Sequence, residues 1–224
     1  EAFFMEPVMG EGNPGVAITP EFYSTARALT KSHGTILLVD SIQAGIRTTG
    51  YLSFIDYPGF REMEAPDLEA YSKALNAGQY PLSILALTAE SADLYRKGIY
   101  GNTMTGNPRA MDIGSAVLGM VTDEIRENIV DRGHEFVEKL KALAVELDGA
   151  ITKVEGTGLL FSCELEPRFK AYGTDSAEEF MRLKGIGVIH GGENSLRFTP
   201  HFQVTSAEVD LIVDCVRNAV LHGP

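Results

Sequence analysis

Ile36-Leu37-Leu38-Val39 is an unbroken apolar run closed by Asp40. A short run of this kind predicts a buried strand with the carboxylate at its carboxyl end. Ala2 to Met5 forms a second apolar strand and leads into the glycine-rich stretch Glu6–Gly15, a loop at a strand end. Thr19-Pro20 carries an N-cap residue and a first-turn proline, and Phe22, Ala26 and Leu29 follow at helical spacing until His33-Gly34 stops the helix. Strand, helix, strand in this order predicts parallel pairing. A further apolar run, Leu82 to Leu87, follows the small-residue loop Ser72-Lys73-Ala74-Leu75-Asn76-Ala77-Gly78. Residues 50–66, with Tyr51, Phe54, Tyr57-Pro58-Gly59-Phe60 and Pro66, are expected to make an excursion over the surface or over a site.

Pro108 opens a predicted helix through Gly119. Thr122 caps another over about 123–147, with Ile125, Ile129, Phe136, Leu140, Leu143 and Leu147 at helical spacing. Beyond it the rhythm changes. Strands are expected at Ile151–Val154 and Leu159–Leu165, joined by the turn Glu155-Gly156-Thr157-Gly158, and near Gly187–His190 and Leu196–Thr199. Ser176-Ala177-Glu178-Glu179 and Thr205-Ser206-Ala207-Glu208 are capping boxes. The second opens a helix with Val209, Ile212, Val213, Val216 and Val220 on one face. The pattern divides the chain into an α/β part over 1–120 and a small α+β part over 121–224, with the long helix linking them.

Composition narrows the classes. At 224 residues and 44% hydrophobic, the chain can bury a real core. Nineteen Lys and Arg against 31 Asp and Glu give a formal charge of −12, with no basic cluster, which disfavours nucleic acid and anionic membrane as partners. Cys163 and Cys215 lie far apart in apolar contexts and read as buried free thiols, which fits a reducing, cytoplasmic compartment. No apolar run is long enough to span a membrane, and no His/Cys/Asp cluster has metal-ligand spacing, so no metal is expected. The first residues have neither the basic start nor the cleavage site of a signal peptide; they begin as if in mid-strand, as expected of a piece of a longer polypeptide.

A strand-end Asp and a loop Lys about thirty residues on are the pair needed to hold pyridoxal phosphate, the lysine as Schiff-base amine and the carboxylate on the pyridine nitrogen. Five ordered segments then carry a resemblance: Glu6–Gly12, Asp40-Ser41-Ile42-Gln43-Ala44-Gly45, Ser72–Gly78, Gly101-Asn102-Thr103-Met104-Thr105-Gly106-Asn107-Pro108, and Leu196-Arg197-Phe198-Thr199-Pro200-His201. Together they resemble the class III (ornithine/GABA-type) aminotransferases, pyridoxal-phosphate enzymes of fold type I. The resemblance implies an α/β fold, the second half of the large domain followed by a small C-terminal α+β domain, and ping-pong transfer of an amino group from an amino-acid donor to an aldehyde or ketone.

It also implies roles for particular residues. Lys73 carries the cofactor and moves the proton; the alternative is a surface lysine. Asp40 meets the ring nitrogen; the alternative is a strand-end Asp capping its loop. Ile42 presses on the ring, and Gln43 contacts its hydroxyl. Thr103 reaches the phosphate of the neighbouring subunit, which makes the enzyme a homodimer with shared sites; the alternative is a helix-capping threonine. Arg197 binds a substrate carboxylate, with Glu11 as its partner otherwise; a structural bridge is the alternative. His190 and His201 are expected to be surface histidines.

Ser41, Ala44, Asn102, Met104, Thr105 and His201 depart from the family pattern, and residues 51–66 lengthen the gap between Asp40 and Lys73. These departures fit an unusual acceptor, as in aminotransferases of secondary-metabolite pathways. A racemase or aminomutase relative, or a non-catalytic scaffold subunit, stays open. The family's phosphate-binding turn and ring-stacking aromatic are expected upstream.

Overall fold

The computed structural model describes residues 1–98 and 103–224, and these form two compact units. The first comprises Glu1–Pro7, Ile18–Ile46 and Gly50–Thr122. The second comprises Val8–Ala17, Arg47–Thr49 and Asp123–Pro224, so two short segments from the early part of the chain pack with its C-terminal part.

In the first unit β1 (Ala2–Met5), β2 (Ile36–Asp40), β3 (Leu68–Tyr71) and β4 (Ile84–Leu87) lie side by side in that order. β1, β2 and β3 run parallel; β4 returns antiparallel to β3. Helix α1 (Pro20–Ser32) makes the crossover from β1 to β2. Thr19 Oγ1 accepts the Phe22 N–H at 3.1 Å and Pro20 begins the first turn, as the sequence predicts. The buried face differs from the predicted one. Tyr23, Ala26 and Thr30 are buried, whereas Phe22 and Leu29 are exposed. Tyr23 claims the core because its ring packs edge-on against Phe54 and its hydroxyl donates to Glu64 O at 2.7 Å.

Within residues 50–66, Asp56, Pro58, Gly59, Arg61, Glu62, Glu64 and Ala65 stay exposed, as on an excursion over the surface, while three aromatic rings turn inward. Phe54, Tyr57 and Phe60 are buried with Tyr23, Leu37 and Val39, and contribute about 1.5–3 kcal/mol for each ring taken out of water. At the other end of the strands, Asp67 accepts the Leu37 N–H at 2.7 Å and two bonds from Arg27 at 2.9 and 3.0 Å. Short helices α2 (Gly45–Thr49) and α3 (Ala89–Ala92) and the longer α4 (Pro108–Met120) complete the α-helices before residue 123 among the described residues, beside 3₁₀ turns at Phe54–Asp56 and Lys73–Asn76.

In the second unit α5 (Asp123–Glu146), α6 (Ala177–Leu183) and α7 (Ser206–His222) accompany β5 (Ile151–Thr157), β6 (Leu160–Leu165), β7 (Ile189–Gly191) and β8 (Ser195–Phe198). The strand order is β5-β6-β8-β7, all antiparallel. Phe136 of α5 stacks on Phe161 at 4.2 Å, and Phe161 on Phe198 at 5.1 Å. Thr205 and Glu208 form the predicted capping box, and Val209, Val213 and Val216 are buried. The predicted turn over 155–158 is narrower. Gly156 and Thr157 stay in the ladder opposite Phe161 and Leu160, because Gly156 is small where Phe161 and Val137 approach.

Candidate functional site

Asp40 ends β2, in register with Ala70 of β3. Its Oδ1 accepts the Ile42 N–H at 3.0 Å, which turns the chain over Ile42 and Gln43, both half-buried. Three residues beyond Ala70, Lys73 opens a 3₁₀ turn, Lys73–Asn76. Two adjacent parallel strands thus deliver Asp40 and Lys73 at their carboxyl ends. In such sheets that edge is where ligands gather.

The backbone around Lys73 is unusual. Lys73 and Ala77 have φ of 44° and 48°, in the left-handed region, and Gly78 follows at 70°. A side chain there costs energy, of order 1 kcal/mol or more. Local bonds hold the loop in place. Ser72 Oγ donates to Leu82 O at 2.6 Å, Ser83 Oγ donates to Ser72 Oγ at 3.2 Å, and Asn76 Oδ1 accepts the Gly78 N–H at 2.7 Å. A cavity of about 390 Å³ opens beside it, lined by Lys73 with Ser72, Asn76, Gln79, Tyr80 and Ser83 among others. Lys73 is exposed, and among the described residues its amine has no hydrogen-bond or ion-pair partner. Asp40 does not line this cavity.

Thr103 is exposed in the turn over 103–106. It is not the helix cap. Asn107 caps α4, accepting the Arg109 N–H at 3.0 Å, and donates through Nδ2 to Tyr80 Oη at 3.2 Å, which links this turn to the wall of the Lys73 cavity. Gly101 and Asn102, the start of the motif noted above, lie outside the described residues.

Arg197 and Glu11 meet in the second unit. Arg197 sits in β8, buried, and donates to Glu11 Oε1 at 2.8 Å and to Gly10 O. Glu11 keeps most of its side chain in solvent (62% exposed), so the pair is half-open to water. The Glu11 carbonyl accepts the Gly192 N–H at 2.7 Å, which holds the glycine-rich loop against the strand that ends at Gly191. His190 and His201 are exposed, each 3.5–3.7 Å from a glutamate, Glu178 and Glu208.

Sequence reasoning missed three residues that support these groups. Glu69 of β3 is buried and accepts from Ser41 and Ser53. Tyr80 bridges to Asn107. Arg47 donates to Pro200 O at 2.5 Å, three residues after Arg197, and its guanidinium lies 5.2 Å over the Phe202 ring; burial lowers its pKa to about 10. Nothing in the linear pattern marks Tyr80 or Arg47. For Glu69 the one clue is a carboxylate in a short segment bounded by Leu68 and Tyr71.

The residues present fit pyridoxal phosphate in donor chemistry. An amine without partners stands in a cavity with hydroxyl-bearing walls, and a carboxylate ends the neighbouring strand at the same sheet edge. Among the described residues no group of three His, Cys, Asp or Glu could hold a metal ion, and no helix is long and apolar enough to cross a membrane.

The sequence matches the family described as aminotransferase class-III over residues 1–220. It is 28% identical over 223 residues to the ornithine aminotransferase of Saccharomyces cerevisiae, covering 98% of this chain and 51% of that protein. With the succinylornithine transaminase of Citrobacter koseri it shares 32% identity over 209 residues, 93% of this chain and 50% of the other. Among solved structures, the ornithine aminotransferase of Toxoplasma gondii superposes with a TM-score of 0.82 at 28% identity, covering 98% of this chain and 51% of that one. The acetylornithine aminotransferase of Elizabethkingia anophelis gives 0.80 at 28% identity, covering 98% and 56%. The chain spans about half the length of the curated relatives it matches.

Proposed function

The chain belongs to the class-III aminotransferase family and has the α/β fold of fold-type-I aminotransferases, and on that premise we propose that the whole protein is a pyridoxal-phosphate-dependent aminotransferase. The observation that carries this reading is the partnerless amine of Lys73, exposed in its cavity at the strand edge that Asp40 also reaches.

When bound, pyridoxal phosphate supplies an aldehyde that accepts an amine and a protonated ring that draws electrons away from the substrate's Cα. Lys73 Nζ would hold the cofactor and would take the proton from the substrate's Cα. The carboxylate of Asp40 keeps the ring nitrogen protonated, since an adjacent anion favours the charged form. Ile42 would pack against the ring and Gln43 would bond its hydroxyl. Thr103 serves the phosphate in the neighbouring subunit of a homodimer. Arg197 binds the donor carboxylate through its planar fork and returns to Glu11 when a substrate lacks that group.

Relatives named for ornithine, succinylornithine and acetylornithine support an ornithine-type amino acid as donor. The finer assignment, a carbonyl intermediate of a secondary-metabolite pathway as acceptor, is supported by the departures at Ser41, Ala44, Asn102, Met104, Thr105 and His201. The test is a donor–acceptor screen of the whole protein supplied with pyridoxal phosphate. The expected result is deaminated donor and aminated acceptor in equal amounts. Recovery of the donor with only its stereochemistry or amino position changed contradicts transamination.

A further inference from the structure

β3 carries a carboxylate, Glu69, that is 4% exposed. A buried carboxylate is tolerated where other donors replace its water. Here the donors come from two separate segments. Oε1 accepts Ser41 Oγ at 2.5 Å and the Phe54 N–H at 2.9 Å, and Oε2 accepts Ser53 Oγ at 2.5 Å. All three donors are neutral groups, and hydrogen bonds to a carboxylate are strong. Tyr71, two residues along the same strand face, has its pKa pushed up by burial and further by the Glu69 charge beside it.

Ser41 is gripped twice by β3: its N–H donates to Ala70 O at 3.0 Å and its hydroxyl to Glu69. Asp40 directly precedes Ser41 and pairs with Ala70; Lys73 lies three residues after Ala70. The staple therefore sits between the two groups assigned to the cofactor. Past the ladder, the bonds from Ser41 N–H to Ala70 O and from Ile42 N–H to Asp40 Oδ1 hold the turn through backbone donors. The Ser41–Glu69 bond adds a tie from a β3 side chain. Ser53 on Oε2 and the Phe54 N–H on Oε1 also hold the carboxylate and tie it to the aromatic core.

We propose that Glu69, acting through Ser41, is a positioning residue that fixes Asp40 relative to Lys73. The inference rests on the roles proposed above for Asp40 and Lys73. Only the bond to Oε1 from Ser41 reaches the turn, so the two serines have different consequences.

The test uses the whole protein reconstituted with pyridoxal phosphate, as parent, Ser41→Ala, Ser41→Cys, Ser53→Ala and Glu69→Gln. Three quantities are measured: the cofactor dissociation constant by equilibrium dialysis, kcat per bound cofactor with donor KM, and the melting temperature of the cofactor-free protein. Ser41→Ala is expected to weaken cofactor binding and lower kcat by about tenfold each, with donor KM little changed, because misplacing a reacting group costs rate more than substrate affinity. Ser41→Cys, nearly isosteric with a weak donor, falls between parent and Ser41→Ala and keeps the test decisive if the alanine variant does not fold. Glu69→Gln follows Ser41→Ala. Ser53→Ala lowers the melting temperature and leaves cofactor affinity and kcat close to the parent. Equal effects of the two serine variants on affinity and kcat, or changes in melting temperature alone, overturn the proposal and make Glu69 a polar knot of the core. A parent protein that binds no cofactor on Lys73 overturns the reading of Lys73 itself, and shows it before any variant is made.

Discussion

Arg197 reaches Glu11 at 2.8 Å from inside β8, its own side chain buried and that of Glu11 largely in water. The asymmetry makes the glutamate the part that can leave. Glu11→Gln should cost no more than about 1 kcal/mol of stability, as for other solvent-screened ion pairs. Arg197→Ala, which also abandons Gly10 O, should cost about 2–3 kcal/mol. Steady-state kinetics separate gate from girder. Arg197→Ala should raise KM for α-carboxylate donors far more than for simple aldehyde acceptors; equal losses contradict carboxylate recognition.

Thr103 offers a test of shared sites. Lys73→Ala and Thr103→Val homodimers should both be impaired. Hybrids of the two chains should regain up to about half of the parent activity, because one composite site is then intact. Hybrids no better than the homodimers contradict a threonine that serves the neighbouring subunit.

Asp67 contributes to the acid limb of stability. Burial pushes its pKa up, but the Arg27 fork and the Leu37 N–H outweigh this, and the net shift is downward. A carboxyl with a lowered folded pKa contributes stability above its unfolded pKa, about 3.9, and loses it as pH falls through the folded value. Denaturant unfolding from pH 7 to below pH 4 should therefore show a smaller loss for Asp67→Asn than for the parent, and Asp67→Asn should already be weaker at pH 7 by about 2–3 kcal/mol.

Gly133 of α5 faces the Gly158 backbone so closely that an added Cβ would lie 2.3 Å from Gly158 O. Alanine gains about 1 kcal/mol of helix propensity there, but backbone cannot step aside as a side chain can. Gly133→Ala should be net destabilising by about 1–3 kcal/mol in thermal or urea unfolding. A neutral or stabilised variant contradicts the close packing.

What the sequence made legible was whatever announced itself locally. β2 was an unbroken apolar run, and α7 had its capping box and valine face. Asp40, Lys73, Arg197 and Glu11 stood in motifs. β3 went unseen because its buried centre is Glu69, and a carboxylate there breaks the apolar signal that names a strand; donors at Ser41, Ser53 and Phe54 make it tolerable. The face of α1 was misread because Tyr23, with a polar tip, outcompetes Phe22 for the core through a hydroxyl bond no helical wheel contains. Glycines at 156 and 158 looked like one loop, yet Gly156 is a strand residue kept small by Phe161 and Val137. In each case the deciding partner lies on another element.

Lys73 is the residue on which the functional reading turns, and covalent trapping tests it directly. The whole protein loaded with pyridoxal phosphate, reduced with borohydride, digested and read by mass spectrometry, should carry the reduced cofactor on the peptide that contains Lys73, and Lys73→Ala should carry none. Label on a different lysine, or a loaded parent protein with no covalent label at all, contradicts it.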